Sequence, residues 1–215
     1  MTIHARALLF DNDGTLVSSL TSVDRCWARW AEEYGITEEF GEVELHGRPA
    51  VEIVADLLPA DVVPRALARI ETLEVEDVPN GGVHLLPGTK AFLGALPADR
   101  WAVVTSATRR LAEARLDAVG ILPKTMVTAD DITRGKPDPE PYLLAARELG
   151  VDPAHCVVFE DAPAGLAAGR AAGMITVALT TTHRAHELDA DLVVQDLSAL
   201  SALVTDAGVE ISVRG

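Results

Sequence analysis

The chain has 215 residues, enough for one sizeable core with a smaller insertion or for two small domains. Acidic residues outnumber basic ones by 33 to 18, a formal net charge of −15, so we expect neither nucleic acid nor an anionic membrane as a partner. Hydrophobic residues make up 48% and charged residues 24%, a globular composition that excludes a disordered or fibrous chain.

The first predicted element is a buried strand that ends in a polar turn. An apolar run over residues 6–10 is followed at once by Asp11 and Asp13. The run is too short for a signal peptide or a membrane span, so we expect a cytoplasmic protein that does not enter membranes. Cys26 and Cys156 have apolar neighbours and are predicted to be buried free thiols.

Helices without intervening strands are predicted after this turn. Apolar side chains recur at helical spacing over about 18–34, and two further helices are expected at about 49–58 and 61–74. The acidic stretch from Glu71 to Asp77 is interpreted as a solvated helix end rather than a binding site. This block is therefore an insertion that follows the first strand.

One residue and one turn of the insertion are candidate ligand contacts, and each also has a purely structural interpretation. Trp27 is expected in the core of the insertion, and a contact with the substrate is its second interpretation. The turn made of His46, Gly47 and Arg48 either reaches the ligand site or is a plain surface turn.

Strands and helices alternate in the rest of the chain. Predicted strands cover 101–105, about 125–128, 155–160, 174–179 and 192–194, and predicted helices cover 88–96, 108–119, 139–149 and 163–172. Apolar strands separated by amphipathic helices favour a parallel sheet covered on both faces. The sequence thus predicts an α/β protein with a doubly wound, Rossmann-like core, residues 1–16 and 86–215, and a small all-helical domain, residues 17–85, inserted after the first strand.

Polar side chains cluster where the predicted strands end, which is where an open parallel sheet binds its ligands. They are Asp11, Asp13, Thr105, Ser106, Lys136, Glu160 and Asp161. Clustered carboxylates repel one another unless a cation neutralises them, and Mg²⁺ prefers oxygen ligands together with a substrate phosphate oxygen. We therefore predict a Mg²⁺ site with Asp11 and Asp161 as ligands. The carbonyl of Asp13 and the side chain of Glu160 are further candidates.

The same residues suit the transfer of a phosphoryl group. A metal ion and Lys136 would offset the phosphoryl charge, so that the Asp11 carboxylate could approach phosphorus in line. Aspartate is an accepted nucleophile for this chemistry, and Asp13 could protonate the leaving alcohol and then activate water. Thr105 and the N–H groups around Ser106 could hold the phosphoryl oxygens.

Four segments carry a family resemblance. They are Asp11-Asn12-Asp13-Gly14-Thr15-Leu16, Val104-Thr105-Ser106, Gly135-Lys136-Pro137 and Phe159-Glu160-Asp161-Ala162-Pro163-Ala164-Gly165. In this order they resemble the four motifs of the haloacid dehalogenase superfamily, and the inserted helices resemble its small cap domain. Within the superfamily the chain is most similar to sugar-phosphate and polyol-phosphate phosphatases, which include glycerol-3-phosphatases, 2-deoxyglucose-6-phosphatases and hexitol phosphatases.

The resemblance implies specific roles. Asp11 would be the nucleophile and Asp13 the acid/base. Thr105 and Lys136 would hold phosphate, and Asp161 would bind the metal. Apart from the resemblance, Ser106 and Ala107 are expected to contact the substrate. Asn12 departs from the usual apolar residue, and Ser18 from the usual Asp, but neither departure removes a catalytic group.

The predicted function is a Mg²⁺-dependent phosphatase that hydrolyses a small sugar or polyol phosphate through an aspartyl phosphate on Asp11. A phosphomutase is the first alternative, but Val23 stands where such enzymes carry an acid/base histidine. A dehalogenase would need neither Asp13 nor a metal, and a non-catalytic phospho-receiver module would lack the helical insertion. We expect a monomer or a small homo-oligomer, and the sequence leaves the metabolite open.

Overall fold

A computed structural model describes residues 2–41, 43 and 50–214 of the chain. The strands are β1 Thr2–Ala5, β2 Ala7–Phe10, β3 Val17–Ser18, β4 His84–Leu85, β5 Trp101–Val104, β6 Met126–Val127, β7 Cys156–Glu160, β8 Ile175–Leu179, β9 Leu192–Val194, β10 Leu200–Thr205 and β11 Gly208–Val213. The helices are α1 Leu20–Tyr34, α2 Thr37–Phe40, α3 Ala50–Leu57, α4 Val63–Asp77, α5 Thr89–Gly94, α6 Arg109–Ala118, α7 Glu140–Leu149 and α8 Pro163–Ala171. Short 3₁₀ turns cover Val78–Asn80, Ala129–Asp131, Pro153–His155, Ala185–Glu187 and Leu197–Ala199.

A six-stranded parallel sheet forms the core, in the order β6-β5-β2-β7-β8-β9. Strand β2 is central and fully buried because both of its faces are covered. Leu8 and Phe10 pack into one apolar cluster with residues of α5 and α6. Ala7 and Leu9 pack into the other, with residues of α7 and α8. The predicted α/β class with a doubly wound parallel sheet is confirmed.

A second, antiparallel sheet lies outside this prediction. Its order is β1-β11-β10, so the first strand of the chain pairs with the C-terminal hairpin. Ile3, Val209 and Ile211 join the same apolar cluster as Leu8 and Phe10. The antiparallel sheet therefore packs on one face of the parallel sheet.

The inserted helices have an apolar core of their own, which we call the cap core. It is formed by buried residues of α1, α3 and α4, among them Trp27, Trp30, Ile53 and Ile70. The indole N–H of Trp30 donates to the carbonyl of Ala66 at 3.0 Å, which satisfies its one polar atom.

The chain enters and leaves these helices through two adjacent strands, since β3 pairs with β4 in a two-stranded antiparallel sheet. The domain boundaries at 17 and 85 remain a prediction. Cys26 and Cys156 are buried and free, as predicted. In the part of the chain that the structure describes, no helix combines the length and apolar character needed to span a membrane.

Candidate active site

The carboxyl ends of three neighbouring strands bring the predicted catalytic residues to one rim. Asp11 follows β2, Thr105 follows β5, and Asp161 follows Glu160 at the end of β7. The three strands are parallel and adjacent, so their carboxyl ends meet. All four side chains are buried.

Lys136 forms hydrogen bonds with residues at all three of these strand ends. Its ammonium group donates to Asp11 Oδ1 at 2.6 Å, to Glu160 Oε1 at 2.6 Å and to the carbonyl of Val104 at 2.9 Å. The side chain is only 7% exposed, so its charge acts in a poorly solvated setting where electrostatic interactions are strong. Lys136 is thus a fixed positive charge beside the Asp11 carboxylate.

Glu160 is held by four donors. Lys136 and the hydroxyl of Tyr142 donate to Oε1, and the backbone N–H groups of Asp161 and Ala162 donate to Oε2. Gly165 is required beside it, because a Cβ at that position would lie 1.7 Å from Glu160 Oε1. Glu160 therefore anchors Lys136 within a tightly packed pocket.

The chemistry of the donor set fits a hard dication. One carboxylate oxygen from each of Asp11, Glu160 and Asp161 lies within 4.8 Å of the others. Gly14 keeps the approach to Asp161 open, since its φ is +92° and a Cβ would lie 2.1 Å from Asp161 Oδ2. The Asp161 carboxylate also accepts hydrogen bonds from Thr15 and Thr182.

Burial opposes the ionisation of this cluster. It raises the pKa of Asp11 well above its ordinary value; Lys136 works against the shift, while Glu160 and Asp161 add to it. Burial, followed by the charge of Glu160, raises the pKa of Asp161 to about 7. A divalent cation would relieve this repulsion, so the residues present fit a Mg²⁺ ion.

Asp13 lies in a separate polar cluster. Its Oδ1 accepts from the hydroxyl of Ser19 at 2.6 Å, and its Oδ2 accepts from Asn12 Nδ2 at 3.1 Å and from a guanidinium nitrogen of Arg115 at 3.0 Å. Arg115 also donates to Glu74 Oε1 at 3.1 Å. The acid/base candidate is thus linked, through Arg115, to helix α4 of the inserted domain.

This cluster corrects one prediction. The stretch from Glu71 to Asp77 was expected to be a solvated helix end, but Glu74 is buried against Arg115. The expectation was wrong for Glu74 because α4 packs against α6 of the core at this turn, which sequence patterning within either helix does not show. Sequence reasoning also missed Arg115, Tyr142 and Thr182, which in one sequence resemble ordinary helix and loop residues.

A cavity of about 270 Å³ lies between this rim and the inserted helices. Its lining includes Ser106 and Ala107 on the core side and Trp27 on the other. Trp27 is also part of the cap core, where its ring stacks on Phe40, as expected from the sequence. Its contact with the substrate stays a prediction. The predicted contact turn, His46 to Arg48, lies outside the described residues.

Comparison with known proteins identifies the family. A family model described as haloacid dehalogenase-like hydrolase matches residues 5–173, which is most of the chain. The chain belongs to this family. The four segments that carry the resemblance, from Asp11 to Gly165, all lie within the matched residues of this haloacid dehalogenase-like hydrolase.

Two curated relatives of the hydrolase are named for the removal of phosphate from polyol phosphates. Hexitol phosphatase A of Escherichia coli is 38% identical over 194 residues, which cover 87% of this chain and 90% of the relative. Glycerol-1-phosphate phosphohydrolase 2 of Saccharomyces cerevisiae is 37% identical over 199 residues, covering 85% and 77% of the two chains.

A solved structure shares the fold across both parts of the hydrolase. A mutant of CbbY from Rhodobacter sphaeroides, in complex with xylulose-1,5-bisphosphate, has a TM-score of 0.79 and 26% identity. The match covers 92% of this chain and 96% of that one, so it includes the inserted helices as well as the core.

Proposed function

We propose that this hydrolase is a Mg²⁺-dependent phosphatase that removes phosphate from a small sugar or polyol phosphate, with Asp11 as the nucleophile. The observation that carries the proposal is the buried contact of Asp11 with Lys136, beside Asp161 and at the floor of the cavity. The names of the curated relatives support the substrate class.

The first step forms a covalent bond. An oxygen of the Asp11 carboxylate attacks phosphorus, the bond from phosphorus to the leaving oxygen breaks, and Asp13 in its acid form gives that oxygen a proton. Lys136 stabilises the negative charge of the transferring group. Thr105 lies at the same rim and is expected to contact its oxygens, with the Ser106 and Ala107 backbone beside it.

The second step returns the enzyme to its starting state. Asp13, now a carboxylate, takes a proton from water, and the oxygen of that water attacks phosphorus. The bond between phosphorus and Asp11 breaks, which releases inorganic phosphate and leaves Asp13 protonated for the next cycle.

Asp11 and Asp161 would hold the Mg²⁺ ion, whose charge would neutralise phosphoryl oxygens. Glu160 is less suited to direct ligation, because four hydrogen bonds already engage its two oxygens. Its proposed role is to keep Lys136 charged and in place.

Val23 speaks against the phosphomutase alternative. This residue of α1 lines the cavity and offers an apolar side chain, which cannot exchange a proton with a sugar hydroxyl. Transfer back to a second hydroxyl of the same substrate therefore lacks its acid/base group at this position.

The test is release of phosphate from a panel of hexitol, glycerol, sugar and nucleotide phosphates, measured with Mg²⁺ and with excess chelator. We expect the polyol and sugar esters to be hydrolysed fastest, and chelation to abolish turnover until Mg²⁺ is restored. Full activity in chelator would contradict the metal role, and no turnover of any ester would contradict the proposed function.

A further inference from the structure

Two acidic residues of α4, in the inserted domain, form hydrogen bonds with residues of the core. Glu71 Oε1 accepts from the hydroxyl of Thr108 at 2.9 Å, and Glu74 Oε1 accepts from Arg115 at 3.1 Å. Both partners belong to the start or the body of α6. The two glutamates are one helical turn apart, yet only Glu74 continues, through Arg115, to Asp13.

Arg115 is costly to bury. Its side chain is 6% exposed and that of Glu74 is 10% exposed, and Arg115 Nε has no hydrogen-bond partner among the described residues. A buried ion pair is often no more stabilising than apolar residues of the same size, and an unpartnered buried donor adds a further penalty. Stability alone therefore does not account for this arrangement.

The geometry of Asp13 suggests what Arg115 provides. Each Asp13 oxygen is fixed by at least one donor: Ser19 holds Oδ1, and Arg115 holds Oδ2 together with Asn12. An acid/base group must keep one oxygen within reach of the leaving oxygen and then of water, so its rotation must be restricted. Arg115 is the only charged donor to Asp13 among the described contacts.

We infer that Arg115 and Glu74 are positioning residues that tie the acid/base Asp13 to the docking of the inserted domain. The inference rests on the proposed function and deepens it. Arg115 orients the Asp13 carboxylate, and Glu74 fixes the second arm of the same guanidinium from α4. Because Glu74 comes from the inserted domain, Asp13 is held correctly only while that domain is seated on the core.

Removal of the Glu74 carboxylate should change the kinetics in a specific way. Loss of Glu74 impairs protonation of a poor leaving group and activation of water, but not the attack of Asp11. Release of p-nitrophenolate, a good leaving group, needs little protonation. A variant without Glu74 should therefore form the phosphorylated enzyme from p-nitrophenyl phosphate at a near-normal rate and hydrolyse it slowly.

The experiment compares Glu74→Gln with the matched control Glu71→Gln on the full-length enzyme with Mg²⁺. For the alkyl phosphate that the wild type hydrolyses fastest, we expect Glu74→Gln to lower kcat about 10- to 100-fold with little change in KM. With p-nitrophenyl phosphate, it should release a burst of p-nitrophenolate equal to the enzyme present, followed by slow turnover. Glu71→Gln should match the wild type in both assays.

A second variant keeps the inference testable if Glu74→Gln does not fold. The double substitution Arg115→Met with Glu74→Met removes both buried charges of the pair and keeps the volume apolar, so it should fold. It should show the same kcat loss and the same burst as Glu74→Gln.

The outcomes separate the two claims. Equal effects of Glu74→Gln and Glu71→Gln, a loss confined to KM, or a folded double variant with normal kcat would each overturn the positioning role while the phosphatase stands. A wild-type enzyme that hydrolyses none of the esters would overturn the proposed function, and the inference with it.

Discussion

Gly14 shows how a single residue sets the geometry of the proposed metal site. It follows Asp13 in the chain and lies against the carboxylate of Asp161, and its φ of +92° is one that residues with a side chain rarely adopt. A Cβ there would lie 2.1 Å from Asp161 Oδ2. The residue is glycine both because of its backbone conformation and because the carboxylate needs the space.

Replacing Gly14 should therefore harm both folding and metal binding. We expect Gly14→Ala to cost about 3 kcal/mol of unfolding free energy and to abolish the rise in Tm that Mg²⁺ gives the wild type. Gly35→Ala is the control, because Gly35 also has a positive φ of 68° but a Cβ there meets open space. It should cost about 1 kcal/mol and keep the response to Mg²⁺. Equal responses of the two variants to Mg²⁺ in a thermal melt would contradict this account.

At the same scale, the sequence predicted the residues of the rim but not the residues of α4 and α6 that hold Asp13. Asp11, Lys136 and Asp161 stand in motifs whose order along the chain is informative. Arg115 and Glu74 each lie on an amphipathic helix, where a charged residue is usually solvated. They are buried because α4 packs on α6, and the spacing of apolar residues along either helix does not predict that packing.

Helix α4 is the element that joins the two parts of the molecule. Its acids at three-residue spacing have three different partners: Thr108 for Glu71, Arg115 for Glu74, and Arg25 of α1 for Asp77. Asp77 also accepts from Ser22 and Asn80, close to where the chain returns towards the core. Asp77 thus fixes the C-terminal end of α4 against α1.

This contact makes a pH-dependent contribution to stability. Burial alone would raise the pKa of Asp77, but hydrogen bonds from Arg25, Ser22 and Asn80 lower it to about 2. In the unfolded chain the pKa of Asp77 is about 4, so the ionised carboxylate stabilises the folded protein at pH values above about 4. This stabilisation is lost as the pH falls towards 2 and the carboxylate is protonated. We expect Asp77→Asn to lower the free energy of unfolding by about 1 kcal/mol near pH 7.

Urea denaturation from about pH 7 down to about pH 3 checks this prediction. The difference in unfolding free energy between the wild type and Asp77→Asn should be constant above about pH 5 and should become smaller below about pH 4. Glu33→Gln is the control, because Glu33 pairs with Arg69 between the same two helices but nearer the surface. Its cost should be smaller, since solvent screens an exposed ion pair. A difference for Asp77→Asn that does not change with pH would contradict the role of its charge.

At the scale of the whole molecule, the parallel sheet was predictable and the antiparallel one was not. The apolar strands of the core are separated by amphipathic helices, a local pattern that a single sequence displays. Strand β1 instead pairs with β11 at the other end of the chain, with Thr2 opposite Ser212, and no local pattern reveals that register. The position of the candidate site was predicted from the parallel sheet alone, since its strands end at one rim.

The net charge of −15 also constrains the whole molecule. An anionic substrate must enter against this field, so a local positive charge is needed where it binds. Lys136 provides one, and the proposed Mg²⁺ ion provides the other. The two together explain how an acidic protein could accept a phosphate ester.

Whether Asp11 is the nucleophile is tested by identifying the residue that becomes phosphorylated. The enzyme is mixed with its fastest ester and Mg²⁺, quenched in acid within milliseconds, digested and examined by mass spectrometry. We expect a phosphoryl group on Asp11 and none on the Asp11→Asn variant, which should retain its fold and lose turnover. A phosphoryl group on another residue, or an Asp11→Asn enzyme that still turns over, would contradict the role of Asp11 as nucleophile.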